Sequence, residues 1–336
     1  MSDDELCWLG VLDLARALRR GEVTSLQVTR ACLDRINALN PRLQAFVTIT
    51  EELALAGAAE ADAERAAGRS RGLLHGVPYT LKDIVQTAGV RTTVGSWTLR
   101  DWVPDNDATV VTRLRAAGAV LLGKVNTHEF AFGGTTQTVH GSTRNPWDLA
   151  RIPGGSSGGS GAALAAGLGA FSIGSDTAGS IRLPSAFCGV AGLKPTYGLV
   201  SAAGVVAQSY TSDHVGPMAR SAADIAAVMA VIAGPDSADP TCLSGPAPEF
   251  RAPGAATLVG LRIGVPEELM RYAIAPRIAQ RLAVAQDVLR GLGAEIRPVS
   301  IPLLAEAAAI NNAIVPPETA AHHMEWATGW LSGLTI

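Results

Sequence analysis

Between Gly154 and Arg182 the chain is dominated by Gly, Ala and Ser. It opens with Gly154-Gly155-Ser156-Ser157-Gly158-Gly159-Ser160 and closes with Gly174-Ser175-Asp176-Thr177-Ala178-Gly179-Ser180-Ile181-Arg182. Ala162, Ala163, Leu164, Ala165, Ala166 and Gly167 join the two ends. Side chains this small let main chains approach closely, and the serines concentrate hydroxyls there. A flexible Gly/Ser linker is a poor reading, because the alanine run favours helix and Phe171-Ser172-Ile173 favours strand. A phosphate loop is also poor. Ser160 and Gly161 stand where a lysine and a hydroxyl would be needed, and no G-x-G-x-x-G fingerprint is present. An acyl-transfer site is the remaining reading: a serine nucleophile among small residues whose backbone N–H groups converge on a carbonyl oxygen.

The rest of the composition narrows the class. The chain has 336 residues, 48% hydrophobic and 17% charged, so a large buried core is expected. A net charge of -3 provides no basic field for nucleic acid. No apolar run is long enough for a membrane span, and the acidic start (Asp3, Asp4, Glu5) is not a secretory signal. A cytoplasmic location is expected. Cys7, Cys32, Cys188 and Cys242 lack CxxC spacing and read as reduced thiols. His75, His128, His140 and His214 lack metal-ligand spacing, and His322-His323 is a poor chelating pair.

Periodicity predicts helices over 11–20 and 24–39, the second stopped by Asn40-Pro41. A short strand over 45–49 and an exposed alanine-rich helix over 51–68 follow. Leu74 to Val85 moves from turn signals into a β-prone run. Lys82, among Leu81, Ile84 and Val85, reads first as a snorkelling lysine. The alternative is a desolvated lysine able to act as a base. Residues 108–117 and 119–123 form a helix-strand step of a parallel or mixed sheet, and Phe130 to Asn145 reads as loop. A helix over 221–233, a proline-rich connector over 234–258 and a β-α-β unit over 261–299 complete the pass.

No GxSxG frames Ser180, so the common serine-histidine hydrolase pattern is absent. A serine-lysine arrangement is a known variant, with Lys82 as the candidate base. These motifs resemble the amidase signature family. The resemblance extends to Leu33-Asp34-Arg35-Ile36, Gly76-Val77-Pro78 before Lys82-Asp83, Gly123-Lys124-Val125-Asn126, Asn145-Pro146-Trp147, Cys188-Gly189 and Asp213-His214-Val215-Gly216-Pro217. It implies an α/β fold with a central mixed β-sheet sandwiched by helices, as a single domain over 1–336 with its signature core at about 70–220. It also implies that the family domain continues beyond Ile336, so part of the substrate pocket is expected to be missing.

The family's Ser–cis-Ser–Lys triad falls on Ser180 as nucleophile, Ser156 as bridging serine and Lys82 as base. Thr177, Ala178 and Gly179 fall with Ser180 on the oxyanion-hole loop. Ala178 stands where many relatives carry glycine. Asp176 and Arg182 are expected to pair and brace this loop, and Asp83 is read as structural. The implied function is hydrolysis of a small-molecule carboxylic amide, with no metal or organic cofactor. No direct nucleic-acid or membrane partner is expected, and a homodimer is left open. One alternative is the glutamine-hydrolysing subunit of a tRNA-dependent amidotransferase, which alone would bring amidotransferase partner subunits. Tyr197-Gly198-Leu199, where that subunit commonly has Tyr-Gly-Arg, leans away from it. A truncated, inactive amidase is the other alternative.

Overall fold

The computed structural model describes residues 1–134, 137–250, 257–270 and 272–331. Two compact units emerge, one formed by Met1–Ala252 with Glu318–Ile336, the other by Pro253–Pro317.

The first unit begins with three helices, α1 (Asp3–Trp8), α2 (Val11–Arg19) and α3 (Ser25–Leu43). Local causes set two of these starts. Ser2 and Glu5 form a capping box for α1, and Thr24 and Gln27 form one for α3. Pro41 does not stop α3 as its sequence predicts. The helix runs through it to Leu43, because Gln44 N donates to Asn40 O (2.8 Å) and Leu43 is buried. Next come β1 (Phe46–Ile49), α4 (Glu51–Ala66), β2 (Pro78–Lys82), α5 (Thr109–Ala116) and β3 (Val120–Val125). The expected exposed α4 buries a stripe of Ala54, Ala58 and Ala61. The region read as loop holds only a short hairpin, β4 (Gln137–Thr138) with β5 (Gly141–Ser142), and a 3-10 turn among the described residues.

The small-residue stretch then supplies α6 (Gly158–Ala165) and β6 (Phe171–Asp176), followed by α7 (Arg182–Cys188), β7 (Ala191–Gly192), β8 (His214–Ala219) and α8 (Ala222–Ile232). Ser221 caps α8 by accepting from Asp224 N (3.1 Å). The sheet has the order β1-β3-β2-β6-β8-β7. β2 is parallel to β3 and β6, whereas β1, β8 and β7 pair antiparallel. The sheet is therefore mixed. Every residue of β2, β3 and β6 is buried. Successive strand residues point to opposite faces, so both faces of this central part are covered. Helices α3, α4, α6 and α8 pack against it. This is the α/β/α fold that the resemblance implied.

Helix α6 needs its glycines. A Cβ at Gly159 would lie 2.5 Å from Asn126 O and 2.8 Å from Ala45 O, so a larger residue would push the helix off the sheet.

In the second unit, β9 (Arg262–Pro266), α9 (Glu267–Met270), α10 (Pro276–Gly291) and β10 (Glu295–Val299) precede a 3-10 turn and the start of α11 (Ala307–Leu331). β9 and β10 are parallel, registering Arg262 with Glu295, which forms the expected β-α-β unit. Part of the proline-rich connector lies outside the described residues. No helix among the described residues is long and apolar enough to cross a membrane.

Candidate active site

Lys82 ends β2, and the parallel pairing of Leu81 with Ile173 brings it beside the C-terminal end of β6. Its side chain is fully buried, so it does not snorkel. Nζ lies 2.7 Å from Ser156 Oγ and 2.8 Å from Ser175 Oγ. Burial pulls the Lys82 pKa down to about 7, although the carboxylates of Asp213 and Asp176 work to raise it. At neutral pH a large fraction of this amine is unprotonated.

Lys124 is a second fully buried lysine, and its surroundings differ. It donates to Val85 O, Thr87 Oγ1 (3.2 Å) and Thr92 Oγ1 (2.9 Å). A carbonyl only accepts, so Lys124 is held as a donor. Lys82 faces two hydroxyls, which can donate as well as accept, so its lone pair can be used. Asp83 has the structural place expected of it, accepting from Thr93 N (3.0 Å) and Thr93 Oγ1 (2.5 Å).

Ser156 lies in the turn before α6, and the Gly155-Ser156 peptide is cis. His128 N donates to Ser156 O (3.2 Å). Next in the chain, Ser157 fastens this turn to β6 and to the turn beyond. Its Oγ donates to Ser175 O (3.1 Å), and its N–H donates to Ser180 O (3.2 Å). Ser156 and Ser175 thus meet Lys82, and Ser157 ties the segments that carry them. Neither Ser157 nor Ser175 was singled out by sequence reasoning. Both carry the ordinary signal of a buried hydroxyl near a motif, which becomes visible only when β2 and β6 are paired.

Ser180 is 8% exposed, and its hydroxyl has no partner among the described residues. The turn that carries it is organised by Asp176. This buried carboxylate accepts from Gly179 N (2.7 Å), Ile181 N (3.1 Å) and Arg182 N (3.3 Å), and it pairs with the Arg182 guanidinium at 2.9 Å. Burial works to raise the Asp176 pKa, but Arg182 and these N–H groups prevail and bring it to about 2. The expected brace is present. Gly179 N–H is committed to it, so Gly179 contributes chiefly its backbone shape, with φ of +122°. Ala178 is not among the residues with positive φ, so alanine fits there without strain. It is exposed, and neither its N–H nor that of Ser180 has an acceptor among the described residues. Thr177 is held by its hydroxyl, 2.5 Å from Asp213 Oδ1 and 3.0 Å from Gln208 Oε1.

This network makes Asp176 a stability residue. Asp176→Asn is expected to lower the unfolding free energy by about 3 kcal/mol in urea titrations, because it unpairs Arg182 and turns one acceptor into a donor facing N–H groups. A double-mutant cycle with Arg182→Ala should show coupling; strict additivity would remove the brace. Because the folded pKa is depressed, this contribution is fully present above about 4 and lost as pH falls through about 2.

A family model described as Amidase matches residues 27–332. The chain belongs to the amidase family. Among curated members, a glutamyl-tRNA(Gln) amidotransferase subunit from Roseiflexus sp. (strain RS-1) is 49% identical over 315 residues, 94% of this chain and 64% of the relative. The corresponding subunit of Moorella thermoacetica is 48% identical over 299 residues, 89% of this chain and 61% of the relative. The chain therefore spans less than two thirds of the length of these amidase-family relatives. Among solved structures, the peptide amidase from Stenotrophomonas maltophilia gives a TM-score of 0.84 at 41% identity, covering 93% of this chain and 66% of that one. The glutamyl-tRNA(Gln) amidotransferase subunit from Thermotoga maritima gives 0.80 at 34% identity, covering 96% and 66%.

No group of three or more His, Cys, Asp or Glu side chains suited to a metal ion occurs among the described residues.

Proposed function

We propose that this chain hydrolyses a carboxylic amide through an acyl-enzyme on Ser180. The observation that carries the reading is a fully buried Lys82 in contact with Ser156, its pKa drawn down to about 7 by burial. An amine with two N–H bonds and one lone pair can donate to Ser175 while accepting from Ser156. Ser156 then takes the Ser180 proton as Ser180 Oγ attacks the amide carbon. The oxygen that becomes negative is met by N–H groups of the Thr177–Ser180 turn, with Ala178 and Ser180 as free donors and Gly179 shaping the approach. The proton returns through Ser156 to the leaving amine, and the C–N bond breaks. Water, deprotonated along the same relay, releases the acid and restores Ser180.

Two substrate classes follow from the relatives. Free small or peptide amides fit the peptide amidase likeness, whereas glutamine fits the amidotransferase likeness, which is the stronger one by identity. Under the glutamine reading, the ammonia would pass to partner subunits. Ammonia release should be measured from glutamine, peptide C-terminal amides, and aliphatic and aromatic amides. Turnover of glutamine alone would favour the amidotransferase reading. Absence of turnover and of Ser180 labelling by a fluorophosphonate would overturn both.

A further inference from the structure

Thr177 opens the turn that carries Ser180, and what holds Thr177 is itself held from a distant part of the chain. Asp213 takes the Thr177 hydroxyl on Oδ1. On Oδ2 it accepts from Gln208 N (2.7 Å) and Ser209 N (3.0 Å). Residues 208–213 thus close on themselves, with Ser212 N and Asp213 N donating to Ser209 O at 3.1 and 2.9 Å. The turn presents Asp213 and Gln208 together to Thr177.

Its outer side is gripped by α11. Glu318, half-buried, accepts from Ser209 Oγ, from Thr211 Oγ1 (2.7 Å) and from Thr211 N (3.2 Å). The next residue, Thr319, is buried and donates to Gln208 O (2.9 Å). One helical turn beyond Glu318, His322 Nδ1 lies 2.5 Å from Tyr210 OH. Residues 318, 319 and 322 share a face of the helix, and between them they engage 208, 209, 210 and 211. The grip is strongest at Glu318, because hydrogen bonds to a carboxylate exceed neutral ones. A loop residue held by one contact could drift. Three donors on one carboxylate define both the height and the rotation of the turn.

We propose that Glu318 is a positioning residue of the acyl-transfer site: by fixing the 208–213 turn it lets Asp213 and Gln208 hold Thr177, and through Thr177 the Ser180 turn. The role rests on the amide-hydrolysis reading of that site. Glu318 touches none of the triad residues, so its effect is relayed.

The test uses Glu318→Ala, Glu318→Gln and Thr177→Val in this chain. Hydrogen exchange is followed over 208–213 and over 176–182, where Gly179 and Ile181 N–H groups are protected by Asp176. Glu318→Ala is expected to speed exchange about tenfold in both segments. Labelling of Ser180 by a fluorophosphonate, and kcat on any amide found to turn over, should fall about 10- to 100-fold, with KM within about twofold. Glu318→Gln, which keeps one carbonyl acceptor, should recover most of the rate. Combined with Thr177→Val, Glu318→Ala should add little, since both act through one contact.

Faster exchange confined to 208–213, with Ser180 labelled at the wild-type rate, would overturn the proposal and leave Glu318 a mere tether of the helix. Should Glu318→Ala fail to fold, Thr211→Val removes one donor to the same carboxylate and is read in the same way. A wild-type chain that is neither labelled nor active would sink the amide-hydrolysis reading. The exchange at 176–182 would still decide the brace.

Discussion

Ser180→Ala is expected to lower kcat/KM for amide hydrolysis by at least about 10⁴-fold while the protein stays folded. The loss is large because no other hydroxyl can take over. Ser156 and Ser175 are fully or nearly fully buried and already engaged with Lys82, so neither can reach a substrate carbonyl without dismantling the relay. Stability should barely change, because the Ser180 hydroxyl has no partner among the described residues and its removal leaves no orphaned group. Thermal unfolding should agree within a few degrees, on the order expected of a substitution that breaks no contact. Intact-mass spectrometry should show one fluorophosphonate adduct on the wild type and none on the variant. Near-wild-type turnover by Ser180→Ala would remove the nucleophile assignment.

Lys82→Met should cost activity on a similar scale, about 10⁴-fold, through loss of the base. In the wild type, kcat/KM should fall about tenfold per pH unit below about pH 7, where Lys82 takes up a proton and can no longer accept one from Ser156. A rate that stays flat from about pH 5 to about pH 8 would contradict a lysine base. Stability gives an independent reading. The folded pKa of Lys82 is depressed, so between about pH 7 and about pH 10 the unfolded chain binds the extra proton. Stability of the wild type relative to Lys82→Met should therefore rise with pH across that window and be flat below it. Urea titrations at about pH 6, 8 and 9.5 would show it. At about pH 6 methionine removes the desolvation cost of the amine but orphans the buried Ser156 and Ser175 hydroxyls, so the readout is the slope with pH and not the offset between the two proteins.

Helix and strand existence was readable because periodicity and capping are local. Thr24 with Gln27 and Ser221 with Asp224 are signals that act within one turn of chain. Pro41 shows the limit of such signals: one lost backbone bond was outweighed by the burial of Leu43 and the closing bond from Gln44. The candidate site divides in the same way. Ser156, Ser180 and Lys82 could be named from a motif and a resemblance. The state of Lys82 could not, since its neighbours in sequence suited a snorkelling side chain equally well.

The small-residue stretch from Gly154 to Arg182 determined, by itself, that main chains must meet closely here and that hydroxyls would gather where they do. Asp176 with Arg182 was likewise a local pairing across one turn, readable from spacing. Tertiary structure alone decided that Lys82 is dry, that Ser175 joins it with Ser157 alongside, and that Asp213, Gln208 and Glu318 stand behind Thr177. The reason is physical. Desolvation depends on everything that surrounds a group, and the hydroxyls that meet Lys82 come from residues 74 and 93 positions away along the chain. Glu318 grips Thr211 from 107 positions away. No local pattern encodes such distances; the tertiary packing of strands, turns and helices does.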